Sequence, residues 1–149
     1  MVMSIVRKIR EISTIAFTAL IAFGPLSASA QSDEKQSCDS SSLQAVITKG
    51  YDAAHRADWG TVLAAALTLN FSSGICKEPD KAYTSALYGD FFGAIGFRHR
   101  HYRKKADELL ADGRGAARRS VEQGEMPELT RKMLRRFDAL AAHPMDIPG

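Results

Sequence analysis

CDSSSLQAVITKGYDAAHRADWGTVLAAALTLNFSSGIC, residues 38–76, begins and ends on the chain's two cysteines and is helical in period between them. Leu43, Val46, Ile47, Gly50 and Ala54 recur at spacings of three and four, which lays them along one helix face. Ser41 with Gln44 reads as a capping box at the start of that helix. Trp59, Val62, Leu63, Ala66 and Leu69 repeat the pattern, with Asp58 placed to cap the second helix. The spacing predicts helices over about 42–56 and 59–71, with a sharp turn at Ala57-Asp58. If the two pack antiparallel, the start of the first lies beside the end of the second. Cys38 and Cys76 then sit just outside those two ends, where a disulfide closes the mouth of the hairpin. A bridge across a loop of this size is worth about 4 kcal/mol in the chain-entropy model. Two free buried thiols are the competing reading, and the compartment decides between them.

The first thirty residues bear on the compartment. Arg7, Lys8 and Arg10 precede an apolar run from Ile12 to Phe23; Gly24-Pro25 breaks it, and Ala28-Ser29-Ala30 follows. This is the order of a cleavable secretory signal, with cleavage expected after Ala30. A retained membrane anchor needs about 20 apolar residues, more than this run holds. The expected organisation is a signal over 1–30, a polar leader over 31–40 and one domain over 41–149, periplasmic or secreted and without a transmembrane anchor after cleavage. Export favours the disulfide over the free thiols.

Cleavage also changes the charge. The chain has 20 basic and 17 acidic side chains, of which residues 1–30 hold three and one. The mature part keeps 17 against 16, so the net charge falls from +3 to +1. That gives no general surplus with which to hold nucleic acid.

Three more helical stripes follow. Tyr83, Ala86, Leu87, Phe91, Ala94 and Ile95 form one, entered through Pro79-Asp80; Tyr102, Ala106, Leu109 and Leu110 form another, expected to stop near Gly113. Gly115 and Gly124 leave room for only a short helix over 115–123. The last helix starts at Pro127, carries Leu129, Met133, Phe137, Leu140 and Ala141 on one face, and ends at His143-Pro144. No segment alternates with a period of two. The fold class is therefore all-α, a small bundle of about five helices built from antiparallel helical hairpins, with the bridge Cys38–Cys76.

Gly50-Tyr51 followed by Asp58-Trp59 resembles the hairpin of a tetratricopeptide-type repeat. In that family a small residue permits close helix packing, and an acid followed by an aromatic begins the second helix. Gly93 and Tyr102 stand nine apart, as Gly50 and Trp59 do, and His101 stands where the acid would be. The likeness covers 42–112, with units offset by 43 residues where the family repeat is 34. The resemblance implies a partner groove lined by the first helix of each hairpin, at Gln44, Ile47, Tyr51 and His55, then Asp90, Ala94, Phe97 and Arg98. A generic helical hairpin bundle instead makes Ile47, Ala94 and Phe97 core and leaves the others as ordinary surface.

Charge is uneven along the mature chain. Residues 98–136 hold twelve basic and six acidic side chains, and Arg98, Arg100, Arg103, Lys104 and Lys105 form a dense basic patch with His99 and His101 among them. Such a face steers an anionic partner; alternatively it is a solvated turn in which Asp107 and Glu108 pair with neighbouring cations. His99 and His101 are two apart and point to different sides of a helix, and no carboxylate or free Cys supports them, so no metal is expected. Neither a Gly-x-Ser-x-Gly elbow nor a phosphate-cradling glycine loop occurs. Glu108 and Glu122 sit among basic residues, which would lower their pKa and spoil a general acid.

These features point to an exported, non-catalytic adaptor-like module that binds another envelope protein, an acidic one by charge, and needs no cofactor. The alternatives are an inhibitor or immunity protein for an exported enzyme, and a small envelope enzyme. A concave pocket gathering two of His55, His99, His101 and Glu108 would favour the enzyme.

Overall fold

The computed structural model of the chain describes residues 38–149. The expected signal, its cleavage site after Ala30 and the leader up to residue 37 lie outside them. Among the described residues five helices follow one another: α1 Ser40–His55, α2 Trp59–Ile75, α3 Pro79–His99, α4 Arg103–Gln123 and α5 Pro127–Ala142. Among the described residues there is no strand, and no helix is long and apolar enough to cross a membrane.

The fold is all-α, and Cys38 and Cys76 are bridged, with Cα atoms 5.5 Å apart. Asp39, not Ser41, caps α1: its carboxylate accepts from the Ser41 amide at 3.1 Å. An acid just after the bridged cysteine can fold back over the first turn, and the helix gains two residues over the expected start. Asp58 caps α2 as its spacing requires, accepting from the Thr61 amide at 3.1 Å and the Thr61 hydroxyl at 2.6 Å. That helix runs on past Phe71 to Ile75, which brings its end to the bridge.

Gly113 does not stop α4. The helix continues through Gly113 and Gly115 to a left-handed Gly124. Each glycine costs a helix about 1 kcal/mol of propensity, but Gly113 is fully buried, and a Cβ there would collide with the Phe137 ring of α5. Packing outweighs the local preference, and what looks like a stop is a point of close approach.

α3 is the centre of the bundle. It touches all four other helices, and Phe91 to Ile95 are buried in succession, with Gly96 beside them. Leu43 and Ile47 of α1, Val62, Ala66 and Leu69 of α2, and Met133, Phe137 and Leu140 of α5 close round it. α2 carries no charged residue along its length, and its outer side leaves Leu67 and Phe71 in solvent.

The turns α1–α2 and α3–α4 are copies of one conformation. Arg56 and Arg100 have φ/ψ of −93/4° and −94/13°, Ala57 and His101 are left-handed with φ of 56° and 68°, and Asp58 and Tyr102 cap the next helix at −85/76° and −86/63°. The hydrogen bonds match as well: Asp58 to Ala53 and Tyr102 to Phe97, both at 2.9 Å. This equivalence sets the register. Tyr102, not His101, stands where Asp58 stands, and His101 matches Ala57. The hairpins are thus offset by 44 residues at the turn, and the pairing of Gly50 with Gly93 shifts by one.

Candidate partner-binding face

α1 touches α3 and α3 touches α5, whereas α2 and α4 do not meet. The odd-numbered helices therefore share one side. Tyr51 reaches from α1 to α3, with its ring centroid 6.4 Å from Tyr88, 6.0 Å from Phe91 and 5.0 Å from Phe92. Gly50 allows this approach, because a Cβ there would lie 2.7 Å from the Phe92 ring.

Arg136 comes in from α5. Its guanidinium lies 5.0 Å from the Tyr51 centroid and 5.9 Å from that of Tyr88, and its Nη1 donates to the Tyr88 hydroxyl at 3.1 Å. Cation–π attraction and a charge-assisted hydrogen bond both hold it there. Its Nε donates to the carbonyl oxygen of Gly149 at 3.2 Å. The Tyr51 hydroxyl is buried without a hydrogen bond. Burial pushes its pKa well up, against the smaller opposing pull of Arg136.

The residues named from sequence divide between two seams. Tyr51 joins Tyr88 and Arg136. Gln44 is exposed on α1, its amide donating to Thr48 at 3.4 Å, and His55 is exposed in the last turn. Asp90 lies two residues beyond Tyr88, about 200° round the helix, and faces α4 beside Gly113. Burial raises its carboxyl to about 6, with Asp112 adding and Lys105 opposing. Arg98 also turns to α4, where it pairs with Asp107. Ile47 and Ala94 are core, and Phe97 sets its ring 6.1 Å from that of Tyr102.

Sequence reasoning missed Tyr88 and Arg136. A sign of the latter exists: Arg136 sits three residues after Met133 and four before Leu140, a charge at the edge of an apolar stripe.

At the α3–α4 corner, Arg100, Arg103, Lys104 and Lys105 are exposed. The first turn of α4 has neither an acidic residue nor a capping side chain, so three cations stand at the positive end of a helix dipole. A depression of about 560 Å³ there is lined by His101, Tyr102, Arg103, Lys104, Lys105 and Glu108. Glu108 pairs with Lys105 at 3.5 Å, and every lining residue is exposed, so nothing excludes water. His99 is turned away and stacks on Trp59, with centroids 3.8 Å apart and planes at 7°. Its pKa is lowered, by burial first and by His101 in addition, while the backbone of Met145 opposes the shift. Among the described residues no three His, Cys, Asp or Glu are grouped to hold a metal ion.

No family model matches the chain, and neither a curated protein nor a solved structure matches it.

Proposed function

We propose that the chain is an exported, non-catalytic interaction module of the cell envelope that takes a partner protein on the side shared by α1, α3 and α5. The cluster of Tyr51, Tyr88 and Arg136 carries the reading: a guanidinium over two aromatic rings, contributed by three helices. Tyrosine and arginine are enriched among the anchors of protein interfaces. Contact among the odd helices is also what a tetratricopeptide-like adaptor needs. The exposed cations at the α3–α4 corner support an acidic partner. Export rests on the order of residues 1–30 and agrees with the disulfide, which belongs to oxidising compartments.

The test is capture from envelope extract by the mature protein, with Arg136→Ala beside it. One envelope protein captured by the parent and at least about tenfold depleted with the variant is expected for loss of a hot-spot side chain. Failure to capture anything, with cleavage of a cell-wall or lipid substrate, overturns the reading. Arg100→Glu with Arg103→Glu weakens capture at low salt and matters less at high salt.

A second reading, a small envelope enzyme, is favoured by one observation: His101 and Glu108 line the same depression. The exposure of both argues against it, since catalytic pKa tuning draws on burial. Hydrolysis by the parent that is lost with His101→Ala or Glu108→Gln supports this reading, and absence of hydrolysis by the parent removes it.

A further inference from the structure

We infer that residues 143–149, His-Pro-Met-Asp-Ile-Pro-Gly, are an internal ligand of the partner-binding face, standing in for a peptide of the partner that carries an aliphatic residue beside proline, and that partner binding displaces them. This rests on the reading above and names the ligand chemistry of that face.

The chain does not leave the bundle when α5 ends. The His143 amide donates to the Ala139 carbonyl at 2.8 Å, and the His143 carbonyl accepts from the Asp146 amide at 3.0 Å, which turns the backbone round. Ile147 then packs against the core cluster, Pro144 and Pro148 are half-buried, and Asp146 faces water. Gly149 ends beside Arg136, six residues before the end of the helix or about 9 Å back along it. The segment thus retraces α5 in the opposite direction. The Gly149 oxygen meets the guanidinium that lies over Tyr51 and Tyr88.

Apart from the His143 amide bond to Ala139, the contacts that hold the segment are of a kind a separate peptide can make. Arg136 supplies a donor to the Gly149 oxygen, an acceptor that a peptide of the same sequence also offers. The Ile147 seat takes an aliphatic side chain, and Pro144 and Pro148 lower the entropy lost on ordering the segment. The hold is also slight: the Ile147 side chain, two half-buried prolines and one hydrogen bond to Arg136, set against the ordering of seven residues. Such a segment is exchangeable. Tethering gives it an effective concentration in the millimolar range. A free peptide of about 0.1 mM intrinsic Kd therefore binds the closed protein roughly tenfold or more weakly than the opened one.

The experiment uses the exported chain with its disulfide formed, and a fluorescein-labelled peptide of sequence His-Pro-Met-Asp-Ile-Pro-Gly read by anisotropy. Ile147→Asp unseats the internal segment. The peptide is expected to bind this variant at least about tenfold more tightly than the parent. Adding Arg136→Ala abolishes the gain, and an unlabelled peptide with Asp in place of its Ile does not compete. No binding to Ile147→Asp up to millimolar peptide, or equal binding to variant and parent, overturns the inference. Should Ile147→Asp fail to fold, Pro144→Gly with Pro148→Gly loosens the segment by raising its backbone entropy and removing two half-buried rings, and is held to the same outcomes. Capture of an envelope protein that depends on Arg136, with no peptide binding, leaves the interaction reading standing and removes only the internal ligand. Peptide binding with no captured protein does the reverse.

Discussion

The two helical hairpins make the same turn with unlike means. In the first, Asp58 caps α2 and a disulfide ties the far ends together. In the second, Tyr102 stands at the capping position with no side-chain bond, a left-handed His101 precedes it, and three cations follow. The seams differ too. α2 offers no charge, whereas the α3–α4 seam holds Asp90 near Asp112 and Lys105, with Arg98 paired to Asp107. One backbone conformation thus forms with local chemistry in its favour and again without it. The difference teaches that the second turn is held by the burial of α3 on every side, and the first by its own residues.

The largest expected effect comes from removing the staple. Cys38→Ser with Cys76→Ser should cost about 4 kcal/mol in the chain-entropy model, read as a shift in the urea midpoint. Amide exchange should rise most at the start of α1 and the end of α2. Equal loss across both hairpins would break the comparison, because the second would then lean on the bridge as well.

Next are two glycines of α4 that sequence reasoning treated alike. Gly113→Ala drives a Cβ into the Phe137 ring, and to 3.0 Å from the Cβ of Asp90. Overpacking of this kind costs about 1–3 kcal/mol, partly offset by better helix propensity. Gly115→Ala meets only the end of the Arg119 side chain at 3.4 Å and should stabilise the helix by about 0.5–1 kcal/mol. Thermal melts of the two variants should move in opposite directions. Movement in the same direction would mean that α4 is governed by propensity after all.

That pair also shows what was legible in the sequence. The apolar period fixes the type of all five helices, and residue types fix Asp58 and Pro127 at their starts. The cysteine positions, together with the export expected from residues 1–30, point to the bridge that the structure shows. The continuity of α4 was not legible, because the reason for Gly113 is an aromatic ring 24 residues away. The register of the second hairpin was hidden for a related reason: Tyr102 lacks the capping chemistry that marks Asp58. In the candidate site, Tyr51 follows from its place after a close-packing glycine. Arg136 gains its meaning only when α5 packs beside α3, and no local pattern records that.

The charged seam gives a pH test. Burial raises the Asp90 carboxyl to about 6 in the folded chain, while an unfolded carboxyl titrates near 4. Between these values the folded state binds more protons. Stability should therefore fall as pH rises from about 4 to 6, and stay lower above that. Asp90 is only half-buried, so screening reduces the effect to about 1 kcal/mol. Asp90→Asn keeps the site neutral. It should stabilise the protein by that amount at pH 7–8 and change nothing at pH 4, by thermal melts at each pH. A gain that persists at pH 4 would show that charge is not the cause.

The smallest effects bear most directly on the turns. Ala57 and His101 both occupy the left-handed region, where a side chain costs about 1 kcal/mol that glycine avoids. Glycine also loses more entropy on folding, so Ala57→Gly and His101→Gly should each leave a net gain of about 0.5 kcal/mol. The caps should separate the two turns. Asp58→Ala leaves the Thr61 amide without its acceptor and should lower the melting temperature by a few degrees. The Asp58 carboxyl lies below its usual range because Thr61 donates to it. Its contribution is therefore present above the unfolded carboxyl pKa and fades as pH falls through the lower folded value. Tyr102→Ala removes no cap and gives up only the ring contact with Phe97. It should melt close to the parent at every pH. If Tyr102→Ala proved the more damaging of the two, the second turn would owe its shape to that ring rather than to the burial of α3.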